Sequence, residues 1–350
     1  MTTQEQFEIL KIINSDRITI DEFRLLLSTE VDNELLKKMA SRSMELTRKR
    51  FGRAISLYIP LYYDNRCTNG CIYCGFNAKN NISRKKLSIA EITAEAQFIR
   101  SKGFKTILLV AGEHPESSNP DLLIPVIRKM HEIGFTCVSI EIAPLGEEEY
   151  RALVRDSHLD GLYIYQETYN REIYDKVHAS GRKKDYDWRL MTAERGSRAG
   201  ISKIGIGFLL GLNDFREDAA ALAEHLNSLM KNNWKSEYSI SFPRIRNAAG
   251  VNDSFRTVTD REFVQLACAL RLLFPETGMS LSTREHPDFR DTVIPLAFTN
   301  ISAGSSTAPG GYCNTGNDLQ QFEVEDSRTP EQMTQVLKKI GFDPVWKDWQ

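Results

Sequence analysis

The sequence predicts an α/β protein, a (β/α)8 barrel of the TIM type with an N-terminal helical extension and a short C-terminal helix and tail. Three observations carry that expectation. Strand-length apolar runs rich in Ile, Val or Tyr recur eight times from Ser56 onward. Amphipathic segments of helical length separate them, and several of these stop on a glycine. No linker rich in Pro, Gly or Ser divides the chain, so the alternation reads as one parallel sheet with helices outside it. An open doubly wound sheet and an incomplete six-strand barrel are the competing arrangements, because the last two runs carry the weakest strand signal.

Residues 1–55 read as a helical segment, 56–325 as the barrel, and 326–350 as a helix and tail packed on it. In the first segment Leu10, Ile13, Phe23, Leu26, Leu27, Leu35, Leu36 and Met39 recur at helical spacing. The eight runs are Ser56–Tyr63, Thr106–Gly112, Cys137–Ala143, Gly161–Gln166, Ile204–Leu212, Glu237–Ile245, Met279–Arg284 and Asn300–Ala303. Between them, Ser88–Lys102 opens on a Ser cap and precedes Gly103, Asp121–Ile133 precedes Gly134, and Tyr186–Ala199 precedes Gly200. The last helix has Thr329 as cap, Pro330 in its first turn, Gln332 to complete a capping box, and Gly341 as its stop. The tail from Phe342, with Trp346 and Trp349, is expected to pack on the barrel.

Hydrophobic residues make up 41% of the 350 and charged residues 26%, enough for a well-buried core. The 45 basic and 47 acidic residues are intermixed, and no basic stripe suggests a nucleic-acid partner. The longest apolar runs fall far short of a membrane span, and the opening MTTQEQFEIL does not resemble a secretory signal. Of six cysteines, three lie within eight residues, which favours a metal site in a reducing, cytoplasmic compartment over a disulfide framework.

Those three, Cys67, Cys71 and Cys74, stand in NRCTNGCIYCGFN directly after the first barrel strand. A [4Fe–4S] cubane has four irons, each needing a ligand beyond its sulfides, so three thiolates leave one iron open for a chelating molecule. A structural zinc would need a fourth Cys or His close by, and none follows: the next are His114 and Cys137. Gly70 and Gly75 allow the loop to wrap closely, and the aromatic Tyr73 beside the last cysteine narrows the reading further. A reduced surface loop or an unrecognised zinc knuckle is the plainer alternative.

The pattern C-x3-C-x-aromatic-C resembles that of the radical S-adenosylmethionine (radical SAM) family. The stretches LYIPLYYDNRCTNGCIYCGF, LLVAGEHP, YIYQETYNREIYDKVHASGRKKDYDWRL, ISFPRIR, LSTRE, VIPLAFTNISAGSSTAPGGY and PVWKDWQ are similar to its aromatic amino acid lyases. Among these they look most like the tyrosine lyases that form 2-iminoacetate for thiamine thiazole synthesis. The resemblance runs from about Ser56 to the last residue. It implies a [4Fe–4S] cluster and S-adenosylmethionine as cofactors and L-tyrosine as substrate. It also implies an external one-electron donor and a complex with thiazole synthase (ThiG). A related hydrogenase-maturation lyase carries a second three-cysteine loop in a C-terminal extension. Here only Cys137, Cys268 and Cys313 remain, too scattered for one, so the reaction is expected to stop at the imine rather than proceed to carbon monoxide and cyanide. Biotin synthase needs a second cluster with cysteines on several strands, and only Cys137 sits on one. Cys137 and Cys268 read as small core residues. A lyase for another aromatic amino acid, such as tryptophan, and a non-catalytic iron–sulfur or zinc protein remain as alternatives.

Barrel chemistry gathers at the C-terminal ends of the strands, so the polar residues there are the candidates. The resemblance implies that Gly112 and Glu113 receive the methionine amine, with Tyr73 beside the cofactor. Glu141, Gln166 and Glu167 end the third and fourth strands and could accept from the ribose or methionine, depending on register. The resemblance implies an arginine for the cofactor carboxylate, Arg195 with Arg198 competing, and an adenine contact near Ile206 on a Gly-interrupted strand, where tight packing is the other reading. For the amino acid, Arg284 is the first candidate to clamp the carboxylate and Arg244 the second, because a guanidinium binds it bidentately. Ser282 and Ser302 offer hydroxyls, and Tyr62 could reach the amine from beside the cluster. The Gly-rich loop Pro309–Gly316 is a candidate lid.

Overall fold

A computed structural model describes residues 3–251, 254–313 and 320–346. Three helices lead in: α1 (Thr3–Ile13), α2 (Ile20–Leu26) and α3 (Asn33–Phe51). Thr19 and Asp32 cap the second and third with their side chains. Eight strands follow, β1 (Ala54–Asp64), β2 (Thr106–Ala111), β3 (Cys137–Glu141), β4 (Gly161–Glu167), β5 (Lys203–Phe208), β6 (Glu237–Ser241), β7 (Gly278–Leu281) and β8 (Asn300–Ser302). Each pairs in parallel with its sequence neighbour, and β1 pairs with both β2 and β8, so the sheet closes. The closed eight-strand barrel excludes the open sheet and the six-strand barrel.

The outer layer contains α4 (Ile89–Ser101), α5 (Pro120–Ile133), α6 (Glu147–Ser157), α7 (Arg171–Val177), α8 (Tyr186–Leu190), α9 (Thr192–Arg198), α10 (Phe215–Asn232), α11 (Asp260–Leu273) and α12 (Pro287–Ala297). Then come α13 (Pro330–Lys339) and β9 (Asp343–Val345), which adds to the first residues of β1. The expected cap at Ser88 forms and is a full capping box with Glu91, and the expected capping box at Thr329 forms with Gln332. One expected helix, Tyr186–Ala199, is broken at Met191 into α8 and α9. The Trp188 carbonyl takes the Thr192 hydroxyl at 3.0 Å and the Arg195 guanidinium at 2.7 Å, and side chains inserted at one carbonyl bend a helix. Trp346 packs edge-on against Phe104, and its carbonyl accepts from Lys105 N–H. Trp349 lies outside the described residues, as do residues 314–316 of the expected lid.

Strand side chains alternate between two environments. One set, such as the register row Ile164–Ile206–Ile240, packs in the main core beneath the helices. The other set, including Tyr58, Tyr62, Leu108, Val110 and Tyr163, fills the lumen. Among the described residues no helix is long and apolar enough to cross a membrane.

Candidate active site

The cysteine loop leaves β1 at Asp64, and its shape is fixed by polar contacts on both sides. The buried Asp64 carboxylate accepts from Ser117 Oγ at 2.5 Å and from the Arg66 guanidinium at 2.9 Å. Arg84 donates to the carbonyls of Asn65, Phe76, Asn77 and Asn80, and so ties the loop's two ends together. The middle of the loop pairs with residues 177–180, through Gly70 N–H to Ser180 O at 2.9 Å and Ile72 N–H to Val177 O at 3.1 Å. At Gly112 a Cβ would overlap the Arg66 carbonyl and stand 3.2 Å from Cys67 Cβ, so glycine there lets β2 end against the cysteine loop.

Cys71 is buried, and Cys67 and Cys74 are half-buried. Burial pushes the Cys67 thiol up to about 11 and raises that of Cys71 as well. Bare thiolates are therefore disfavoured in this pocket, whereas cationic iron deprotonates a coordinating thiol outright. Among the described residues no three His, Cys, Asp or Glu side chains converge as ligands of one ion do. A cubane asks for a different arrangement, three thiolates each on its own iron, and the loop fits it.

Beside the cysteines lies a buried group of four charges. Glu113 pairs with Arg189 at 2.6 Å and accepts from Asn69 Nδ2 at 2.8 Å. Glu167 pairs with Lys183 at 2.7 Å and stands 3.7 Å from Arg189. Burial alone would raise both carboxyls, but for Glu113 the charges of Arg189 and then Lys183, and for Glu167 those of Lys183 and then Arg189, hold them below the ordinary value. Both acids are thus anionic acceptors, which suits an ammonium partner. Glu167 takes a positive φ of 70° where β4 loses register between Tyr165 and Glu167. That bulge turns its carboxylate into the charged group, while Gln166 bonds the Tyr186 carbonyl at 3.4 Å.

Glu141 ends β3, and burial, with the Glu167 charge adding, raises its carboxyl to about 7 against the opposing pull of Arg284. Tyr73 O–H lies 2.8 Å from His178 Nε2, while His178 Nδ1 lies 2.8 Å from the Tyr174 carbonyl. A carbonyl only accepts, so Nδ1 carries the proton and Nε2 accepts from Tyr73. Burial pushes His178 down to about 2, which keeps it neutral in that role.

Two expected cofactor contacts are placed elsewhere. Arg195 is stacked on Trp188 at 3.6 Å and bonds the carbonyls of Leu145 and Trp188. The arginine that reaches the Glu113 carboxylate is Arg189. Ile206 sits in the outer core between Ile164 and Ile240, not in the lumen. The neighbouring strand glycines answer to tight packing: a Cβ at Gly205 would overlap Tyr163, and one at Gly207 the Ser241 carbonyl.

The expected substrate residues are only partly brought together. Arg284 lies flat over Phe322 at 3.5 Å, its N–H faces Ser282 Oγ at 3.4 Å, and it makes no ion pair with a described residue. Its charge is felt by both Glu141 and Tyr62. Tyr62 O–H donates to Gln321 Oε1 at 2.9 Å, and the buried Ser302 sits beside Tyr58 in register. Arg244, by contrast, is engaged with Glu285 and with Asp260 at 2.7 Å, and lies against the rings of both Phe263 and Phe289. A guanidinium so occupied has no free fork for a ligand carboxylate.

Arg189, Lys183, Asn69, His178 and Gln321 were not expected from the sequence.

A closed parallel barrel with a C-x3-C-x2-C loop at the C-terminal ends of its strands defines a class, the radical SAM enzymes. The model of the radical SAM superfamily matches residues 62–226, and that of the biotin and thiamin synthesis associated domain matches residues 241–343. The chain is 44% identical to 2-iminoacetate synthase of Escherichia coli (strain K12), over 98% of this chain and 90% of that one. It is 43% identical to the Salmonella typhimurium protein of the same name, with the same coverage. The structure of the FeFe-hydrogenase maturase HydG from Carboxydothermus hydrogenoformans superposes with a TM-score of 0.91 at 32% identity, covering 98% of this chain and 80% of that one. The chain belongs to the 2-iminoacetate synthase family of the radical SAM superfamily. Its cofactors are a [4Fe–4S] cluster and S-adenosylmethionine.

Proposed function

We propose that this chain cleaves the Cα–Cβ bond of L-tyrosine to 2-iminoacetate and p-cresol, with methionine and 5′-deoxyadenosine as co-products. The observation that carries the reading is identity to 2-iminoacetate synthases along nearly the whole chain, joined to a single three-cysteine loop at the barrel mouth. When bound, the cluster and S-adenosylmethionine supply a 5′-deoxyadenosyl radical. The chain's own residues bind and orient. Cys67, Cys71 and Cys74 hold the cluster. Glu113 and Glu167, kept anionic by Arg189 and Lys183, would receive the ammonium of the methionine moiety, and Arg189 beside them would take its carboxylate. Arg284, with no ion pair to a described residue, clamps the tyrosine carboxylate beside Ser282. Tyr62 and Glu141 lie within reach of the Arg284 charge, and Ser302 sits beside Tyr58 in register. Holding the carboxylate fixes the amine hydrogen rather than a β-hydrogen next to the radical, and such positioning accounts for most of the protein's contribution.

The imine product is unstable in water, which favours delivery inside a complex with thiazole synthase, and an external one-electron donor reduces the cluster. The mixed surface charge and reduced cysteines suit the cytoplasm. Anaerobically reconstituted protein with dithionite, S-adenosylmethionine and L-tyrosine tests the reaction. Release of 5′-deoxyadenosine and p-cresol is expected. No deoxyadenosine overturns the radical reading, and deoxyadenosine without p-cresol overturns tyrosine as substrate.

A further inference from the structure

Gln321 joins two parts of the mouth that are far apart in sequence. Its Oε1 accepts from the Tyr62 hydroxyl at 2.9 Å, and its Nε2 points at Cys74 Sγ at 3.5 Å. Its backbone is held independently. The Gln321 carbonyl accepts from Gly75 N–H at 3.2 Å, and its own N–H donates to the Thr307 carbonyl at 3.1 Å. A Cβ at position 75 would stand 2.5 Å from that carbonyl, so the glycine is what allows the two backbones to meet. Among the described residues, Gln321 is the only side chain that donates to one of the three loop sulfurs. Cys67 Sγ is met by a backbone group, Asn69 N–H at 3.5 Å.

Partner chemistry fixes which way the amide faces. A metal-bound thiolate only accepts, whereas a tyrosine hydroxyl donates or accepts. The NH2 end therefore belongs on Cys74 and the carbonyl end on Tyr62. Rotating the amide by half a turn would set oxygen against sulfur and lose the bond to Cys74, while the Tyr62 hydroxyl would accept instead of donate.

We infer that Gln321 is a positioning residue for the cluster, that its N–H···S bond to the Cys74 thiolate raises the cluster's reduction potential, and that Tyr62 maintains this bond by holding the amide. Taking up one electron, from [4Fe–4S]2+ to [4Fe–4S]+, adds one negative charge shared between the core and its thiolates. The electron comes from a low-potential one-electron donor, dithionite in the test. No bond is made or broken and no proton is transferred. A donor dipole aimed at sulfur stabilises the more negative state, and hydrogen bonds to the sulfurs are among the levers that set such potentials. The inference rests on the cluster reading of the three cysteines and not on tyrosine as substrate.

The test is an anaerobic redox titration of the reconstituted full chain, followed by EPR, without S-adenosylmethionine or amino acid. Iron and sulfide content are measured on the same samples. Gln321→Leu is expected to load the cluster and to titrate at a lower potential than wild type. Tyr62→Phe is expected to fall between the two, and Gln320→Ala to match wild type. In pulsed EPR after transfer to D2O, one of the exchangeable-proton couplings to the reduced cluster is expected to be lost in Gln321→Leu while that of the Asn69 N–H remains, a change that mere loosening of the loop does not produce. Wild-type potential and couplings in Gln321→Leu overturn the inference. Should that variant fail to take up iron, Tyr62→Phe decides alone, and wild-type potential there overturns it equally. A wild-type chain with no redox-active cluster overturns the cluster reading itself, an outcome distinct from both.

Discussion

Two sides of the barrel mouth handle charge in opposite ways. Over β2 and β4, Glu113, Glu167, Lys183 and Arg189 pair with one another before any ligand arrives. After β7, Arg284 rests on an aromatic face without an ion pair to a described residue. A set of buried charges that already balances holds its geometry but contributes little net stability, and it punishes the loss of any member. A guanidinium left without a counter-charge is poised to take an anion from outside. Glu141 lies between the two regimes, raised by burial and Glu167 and pulled down by Arg284.

The contrast can be broken most forcefully at Arg189. Arg189→Leu strands the buried Glu113 carboxylate and is expected to lower unfolding stability by about 3–5 kcal/mol, read as the denaturant midpoint at constant slope. Arg284→Leu should change that midpoint by no more than about 0.5 kcal/mol, and equal losses in the two variants would contradict the distinction. Arg284→Lys keeps the charge but loses the fork. It should raise KM for tyrosine roughly 10–100-fold, equivalent to about 1.5–3 kcal/mol for a hydrogen bond to a charged group, with the cluster's visible spectrum unchanged. Normal tyrosine affinity would refute the clamp.

A pH series sharpens the middle case. The folded-state value of Glu141, about 7, lies above that of a free glutamate, so protonation favours the fold. Its contribution is full below about pH 4.3 and is lost as pH rises through 7, an effect of about 1–3 kcal/mol. Glu141→Gln should flatten the stability curve across that window, and Arg284→Leu should move the loss to higher pH. An unchanged curve in Glu141→Gln would show that another group carries the slope. A modest effect confined to stability is expected at Ile206. Ile206→Val should cost about 0.5–1.5 kcal/mol of stability with S-adenosylmethionine affinity intact, and weakened cofactor binding would place Ile206 in the lumen after all.

What could be read from the sequence follows the range over which each signal acts. Alternation and caps are local, so the eight strands, the cap at Ser88 and the box at Thr329 were legible. The cysteine loop was legible because its ligands lie within eight residues. Register was harder. One bulge in β4 exchanges the orientation of Gln166 and Glu167, and the row Ile164–Ile206–Ile240 faces the helices, a choice that alternation alone leaves open. Hardest were partners distant in the chain. Arg189 meets Glu113, His178 meets Tyr73, and Gln321 meets both Cys74 and Tyr62 only once the barrel has closed.

The short strand β9 also sets a timetable. It pairs with the first residues of β1, Ala54 with Asp343 and Ser56 with Val345, on the edge of β1 opposite β8. A ribosome adding about 5–20 residues per second needs roughly 15–60 s between making those two partners. For that interval only the first residues of β1, at the end of the strand away from the cysteine loop, lack a partner on one edge, because β2 already pairs with Ile59–Asp64 on that edge. The order of synthesis thus leaves this short stretch of backbone to be satisfied last, when residue 345 arrives.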